Sequence, residues 1–392
     1  MLRSRTVRRR LAEGLAVTVI AATALFIGPA ALADPACSAA GSFAGGSGTS
    51  ADPYKIATAD QLSILTSDDS TWSNHYVLTA DIDLASCTWN PVGTETTPFT
   101  GSIDGAGFSI SNLLVDYPTA RIVGLFGLIY APGDVVVDNL HLVDVDVRGE
   151  GQVGAIAGIN GAIITRSSAS GTVTGGEVVN MNGLVGGLVG ENGHRIGDVR
   201  FPGLISYSLS RVDVVGIGGR FVGGLVGYNR QNSAIIDSYA RGTVTATTSD
   251  ETFSPVTATA GFAGYNGINS TIDRGYTTAP TTSNGTELGG FLGRNDTASS
   301  PAGEVRTSFW DTQTTGQATS AGGTGETTAS MTTIGTFESA SWAIVAGWAP
   351  FVATSSVWGI CPAVNDGYPY LLWEYEVTPC AAPAPVGPSF TG

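Results

Sequence analysis

A chain of 392 residues with 18 basic and 33 acidic side chains, a net charge of −15 and a single lysine, Lys55, has little cationic surface to offer. That argues against nucleic acid and anionic membrane as partners, since both are bound through clustered Lys and Arg that displace counterions. Its 54 glycines are about twice ordinary usage, and they sit inside apolar phrases, which points to close packing rather than a linker.

Residues 1–33 read as an export leader. Arg3, Arg5, Arg8, Arg9 and Arg10 form a basic start, an apolar run follows from Leu15 to Ile27, and Ala31-Leu32-Ala33 supplies a small-residue cleavage site. The run is too short for a membrane anchor, and no later stretch approaches the roughly 20 apolar residues that a spanning helix needs. The expectation is a secreted, extracellular chain, free or associated with the cell surface, with no membrane insertion. In such a compartment four cysteines imply two disulfides. Three connectivities are allowed. Cys37 with Cys87 and Cys361 with Cys380 is the expected pairing, because each pair flanks one end of the repeat region. No CxxC spacing supports redox or zinc chemistry.

Residues 34–100 read as an N-terminal cap with entry strands: a short helix over 58–65, with Thr58 as N-cap, then a strand over 76–84. Residues 101–325 hold the repeat. Six phrases end at Gly127, Gly158, Gly190, Gly227, Gly264 and Gly293, spaced by 31, 32, 37, 37 and 29 residues. Two residues before each glycine stands Leu125, Ile156, Leu188, Leu225, Phe262 or Phe291, and the residue before that is always Gly or Ala. Two residues after it comes Ile129 once, then Asn160, Asn192, Asn229, Asn266 and Asn295. Such columns predict strands stacked in register, with one large apolar side chain buried per layer. The Asn column predicts a bend, with bonds passing from layer to layer.

A second, Ser/Thr-rich phrase recurs between the first: Ile164–Gly175, Ile205–Gly216 and Ile235–Ala246, with weaker copies from Ile272 and at Val305–Gly316. Two or three short strands per period, without helical patterning, describe a parallel β-helix. A propeller blade of four strands would need a longer period. Residues 326–380 read as a C-terminal, disulfide-tied cap rich in tryptophan (Trp342, Trp348, Trp358, Trp373), and 381–392 as a disordered tail.

The phrases at 185–192, 222–229 and 260–267 resemble the GLUG motif of bacterial surface and secreted proteins. Residues 46–65, 78–84 and 98–113 resemble the usual entry into such domains, and 308–331 and 357–373 the usual exit. The resemblance implies an all-β, right-handed parallel β-helix solenoid of about six coils with capping segments. It also implies display at the cell surface, adhesion, or service beside a catalytic domain. Some such proteins carry a zinc peptidase. This chain has no HExxH, and His75, His141 and His194 stand apart, so that activity is not carried over.

Little in the sequence carries chemistry, and no cofactor or metal is expected. Asp81, Asp83 and Asp104 could offer oxygens to calcium, but they also fit strand-end turns. Asp144 and Asp146 alternate with Val143, Val145 and Val147 as in a half-buried strand. As a carboxylate pair they could act on polysaccharide. An aligned column runs Ser168, Leu209, Tyr239, Tyr276, Phe309, with Trp310 following. Facing outward, Tyr239, Tyr276 and Trp310 would form a sugar-stacking, ligand-binding platform; facing inward they fill the core. The expected function is non-catalytic binding or adhesion to an extracellular glycan or protein ligand, by a monomer. The alternatives are a polysaccharide-active hydrolase or lyase and a passive envelope element.

Overall fold

The computed structural model describes residues 37, 41–176, 183–196, 199–247, 257–347 and 356–375, all within one compact unit, Pro35–Gly392. The expected leader over residues 1–33, Trp348, Cys380 and the expected tail over 381–392 lie outside the described residues. Cys37 is bonded to Cys87 as expected. Cys361 is also disulfide-bonded.

The described chain is mostly strand, and most of its strands pair in parallel. One ladder is a six-stranded parallel sheet containing Ile122–Val123, Gln152–Val153, Leu184–Gly186, Phe221–Gly223, Ala258–Ala260 and Glu287–Gly289. Each repeat phrase contributes one of these strands, then turns and contributes a strand to a second parallel ladder. There Phe126, Ala157, Val189, Val226, Ala263 and Leu292 lie in register. The second phrase supplies a third run, in which Ile164, Ile205, Ile235, Ile272 and Val305 are partners. One period is therefore one layer, and layers add by backbone pairing.

The phrase has physical causes. Leu125, Ile156, Leu188, Leu225, Phe262 and Phe291 are all buried and form the interior column. A Cβ on Gly190, Gly227 or Gly264 would lie 2.5–2.6 Å from the backbone nitrogen of Val153, Val185 or Val222, so the second ladder approaches the first too closely for any side chain there. The Asn column is fully buried from Asn160 to Asn266 and partly exposed at Asn295. Its side-chain amides donate along the stack, from Asn160 to Asn192, Asn192 to Asn229, Asn229 to Asn266 (2.9 Å each) and Asn266 to Asn295 (3.0 Å). A serine ladder accompanies it. The backbone N–H of Ser167 donates to Ser208 Oγ, that of Ser208 to Ser238 Oγ, and that of Gly275 to Ser308 Oγ, at 3.1–3.2 Å.

Between these features each layer bends at one residue with positive φ: Asn139, Arg166, Tyr207, Asp237, Arg274 and Thr307. Such geometry is disfavoured for most side chains and persists where neighbours over-determine it. Here the ladders on either side hold the bend. Ion pairs between Arg166 and Asp138, and between Arg274 and Asp237, tie adjacent layers across it.

The N-terminal end is closed by the helix Ala59–Ser67, capped by Thr58, whose hydroxyl accepts from the N–H of Gln61; Leu62 and Leu65 turn into the core. The strand expected over 76–84 is two pieces, His75–Leu78 and Ile82–Asp83. The segment read as a C-terminal cap begins with two short helices, Thr328–Met331 and Ile334–Ser339. From there the chain runs back along the side of the stack as far as Tyr375.

Candidate functional site

Two side walls carry aromatic residues, and the chain treats them differently. On the first, His141, Ser168, Leu209, Tyr239, Tyr276 and Phe309 are register partners, one per layer. Tyr239 and Tyr276 stack at 4.9 Å. These side chains point away from the interior column. Leu209, Tyr239, Tyr276 and Phe309 pack instead with Met331, Phe337, Trp342, Trp358, Tyr368 and Leu371 of the returning segment. Tyr239 and Tyr276 are thereby fully buried. Trp310 points the other way and belongs to the main core. The expected platform of Tyr239, Tyr276 and Trp310 is therefore not a free surface, because the chain's own C-terminal segment occupies it.

Polar groups fix that segment in place. The indole N–H groups of Trp373, Trp358 and Trp342 donate to the carbonyl of Tyr207, the carboxylate of Asp237 and the carbonyl of Thr307, at 2.8–2.9 Å. All three acceptors belong to the bend residues. Tyr276 Oη donates to the carbonyl of Pro369 at 2.6 Å. Arg241 reaches Asp366 at 2.7 Å and lies over the ring of Tyr368. Glu374 accepts from Arg211 (2.8 Å), from Tyr239 Oη (2.8 Å) and from the N–H of Leu371 (2.7 Å). Burial pushes the Glu374 carboxyl up, while Arg211 and the donated hydrogen bonds pull it down. Burial likewise raises the Tyr239 and Tyr276 hydroxyls, so both remain donors.

The second wall is partly exposed among the described residues: Gln152, Tyr228, Tyr265, Glu287 and Arg294 keep some accessible surface, while Leu184, Phe221 and Ala258 are buried beneath. It forms where the outward column Gln152, Leu184, Phe221, Ala258, Glu287 of the six-stranded sheet meets the column Ile159, Glu191, Tyr228, Tyr265, Arg294 of the adjoining ladder. Tyr228 and Tyr265 stack at 4.9 Å and an interplanar angle of 15°. Phe221 leans on both, at 5.6 and 4.8 Å. Arg230 lies over Tyr228, Arg294 over Tyr265 and Arg220 over Phe221, at 4.9–5.7 Å. The tyrosine faces are thus occupied by each other and by guanidinium groups, and the wall presents ring edges, hydroxyls and charges. Glu191 is buried beneath it and ion-paired with Arg230. Burial pushes the Tyr265 hydroxyl up to about 12. It donates to Asp296 at 3.3 Å.

Sequence reasoning passed over Tyr228 and Tyr265, although both stand inside the repeat phrase, between its last glycine and its asparagine. The signal was the change along that column from Leu128 and Ile159 to Glu191, Tyr228, Tyr265 and Arg294: an apolar position that turns polar and aromatic partway along the stack.

Among the acidic candidates, Asp81, Asp83 and Asp104 have structural duties. Asp81 accepts from the backbone and hydroxyl of Ser109, Asp83 from Ala85 and Asn112, and Asp104 from Ala106. These bonds hold the Asp81 and Asp83 carboxyls below their usual range. No group of three or more His, Cys, Asp or Glu among the described residues could hold a metal ion. Asp144 has a φ of +53° and interrupts the expected alternation. Val143 is exposed, while Leu142, Val145 and Val147 are buried.

Residues 218–245 match the GLUG motif. That segment includes Phe221, Tyr228 and Arg230 of the second wall and Tyr239 of the first. The chain is 37% identical over 157 residues to halomucin of Haloquadratum walsbyi, a match covering 37% of this chain and 2% of that protein. It is 34% identical over 135 residues to a protein of Evansella cellulosilytica provisionally named a Gly-rich membrane protein, covering 32% of this chain and 15% of that one. The matched GLUG-bearing chain is thus a small part of either relative's length. Among solved structures, a Bacteroides ovatus protein provisionally named an immunoglobulin A1 protease superposes with a TM-score of 0.50 at 18% identity, covering 84% of this chain and 95% of that one. At that identity the likeness concerns the fold alone.

Proposed function

We propose that the chain is a right-handed parallel β-helix of about six coils, exported to the cell exterior, that binds an extracellular glycan or protein ligand without chemically changing it. The observation that carries this reading is the partly exposed Tyr228–Tyr265 stack, backed by the buried Phe221 and flanked by three arginines, beside a wall that the chain covers with its own residues. Long, regular side walls are the surfaces that stacked-repeat proteins use for extended ligands, and aromatic and arginine side chains are enriched where binding energy concentrates. Surface residence is supported by the leader-like residues 1–33 and by a relative named as a membrane protein. The acidic balance makes nucleic acid an unfavourable partner.

The test is retention of the purified chain on a panel of polysaccharides and matrix proteins, with new reducing ends and peptide cleavage measured in the same tubes. Retention by at least one ligand without turnover is expected. Tyr228→Ala with Tyr265→Ala should weaken it at least tenfold while leaving the circular dichroism spectrum unchanged. Turnover of the retained ligand would replace this reading with a catalytic one.

A further inference from the structure

The second wall ends, at its Arg294 side, in a cavity of about 510 Å³, within the range of small-molecule sites, roughly 300–1,000 Å³. Its lining includes Tyr265, Glu287, Arg294, Asp296, Thr297 and Ser299. Resting on the binding function proposed above, we propose that this cavity seats one neutral pyranose unit, free or at the end of a glycan, gripped through adjacent ring hydroxyls by Glu287 and Arg294.

Three observations lead there. First, the Glu287 side chain lines the cavity at 37% exposure, its inner oxygen Oε2 accepts no hydrogen bond, and Arg294 Nε stands 4.0 Å from that oxygen. A carboxylate that no internal donor claims is left to accept from a ligand hydroxyl through the oxygen that reaches the cavity. The neighbouring guanidinium then donates to the next oxygen of the same ring, since a sugar hydroxyl both donates and accepts.

Second, the rest of the polar lining is already set. Despite the cost of burial, the backbone and hydroxyl of Ser299, the N–H of Ala298 and the hydroxyl of Tyr265 hold the Asp296 carboxyl below its usual range. Asp296 thus shapes the rim as a fixed charge, and Glu287 and Arg294 are left to meet the ligand.

Third, the charges select against ions. Two carboxylates face one guanidinium in a chain of net charge −15, which repels uronate and sulfate groups. A cationic side chain would compete with Arg294, which already lies over the Tyr265 ring. A neutral polyol meets neither obstacle.

The experiment titrates the full chain calorimetrically with glucose, galactose, mannose, glucuronate and a tetra-arginine peptide. It uses wild type, Glu287→Gln and Ala298→Trp. Ala298 is exposed at the cavity rim, so the indole fills the space without entering the core. The expected result is binding of at least one neutral hexose, weakened tenfold or more by each substitution, with weaker or no binding of glucuronate and the peptide. Neutral hexoses that bind wild type and Ala298→Trp equally, or not at all, would overturn the proposal, as would a preference for glucuronate or the peptide. If Ala298→Trp does not fold, the Glu287→Gln titration decides on the same criterion. Should the cavity prove irrelevant, retention that still depends on Tyr228 and Tyr265 would leave the broader binding function standing.

Discussion

Asn229 is the residue on which most of the inter-layer bonding can be tested. It accepts from the Asn192 amide and donates to Asn266, each at 2.9 Å, and it is fully buried. Replacing it with Ala would leave the Asn266 carbonyl oxygen short of a donor and the Asn192 amide short of an acceptor. Each buried polar group so stranded costs about 1–3 kcal/mol. Asn229→Ala should therefore lower the unfolding free energy by about 2–4 kcal/mol, read as a shift in the urea midpoint at unchanged slope. The Asn column was legible in the sequence because five copies recur at one offset from the phrase glycine. The serine ladder beside it was less so. Its column begins with Leu140 and is interrupted by Gly275, and serine forms local turns in many settings. Tyr228 and Tyr265 were overlooked for a related reason: a column whose residue type changes along the stack carries no repeat signal, although the change itself marks where a surface acquires a task.

A strand's alternation says which way a side chain points from its own backbone, but not what comes to lie against it. The period thus placed Leu209, Tyr239, Tyr276 and Phe309 in one column. Their cover comes from Trp342, Trp358, Tyr368 and Leu371, far along the chain, and no local pattern announces that pairing. The same covering gives one edge of the segment a pH response. His141 stacks on Trp373 at 5.1 Å, and burial depresses its pKa below the ordinary 6.5. The folded chain then binds fewer protons than the unfolded one as pH falls from 6.5 toward the folded pKa, so stability present above pH 6.5 is lost across that window. Glu374 works in the opposite sense: its raised folded pKa favours the folded state on acidification, and that gain is lost as pH rises from about 4.5 through the folded value. Comparison with His141→Phe, which keeps the stacking and cannot titrate, isolates the first effect. Wild type should lose more melting temperature than the variant between pH 7.5 and 5.5. Equal losses would show that His141 does not contribute.

A molecule built of layers that touch only their neighbours gains its stability pair by pair, and its end layers would be expected to open first. Here one segment crosses that arrangement. Trp373 and Glu374 hold the layers of His141, Tyr207 and Arg211. Trp358 holds that of Asp237, Pro369 that of Tyr276, and Trp342 that of Thr307. It runs along the stack as a lath nailed across boards, so layers that never meet share a common fastening. Local fraying at the last layers must break the lath or carry it away, and losing it uncovers a row of aromatic rings. Opening of Leu209–Ile217 and of Phe309–Asp311 should thus be one event, seen as a single hydrogen-exchange rate class for both strands. Trp358→Ala should cost about 3–5 kcal/mol and split that class in two, with the later strand exchanging faster. The cooperativity of this protein would then reside in its least repetitive stretch, and the repeats alone would peel.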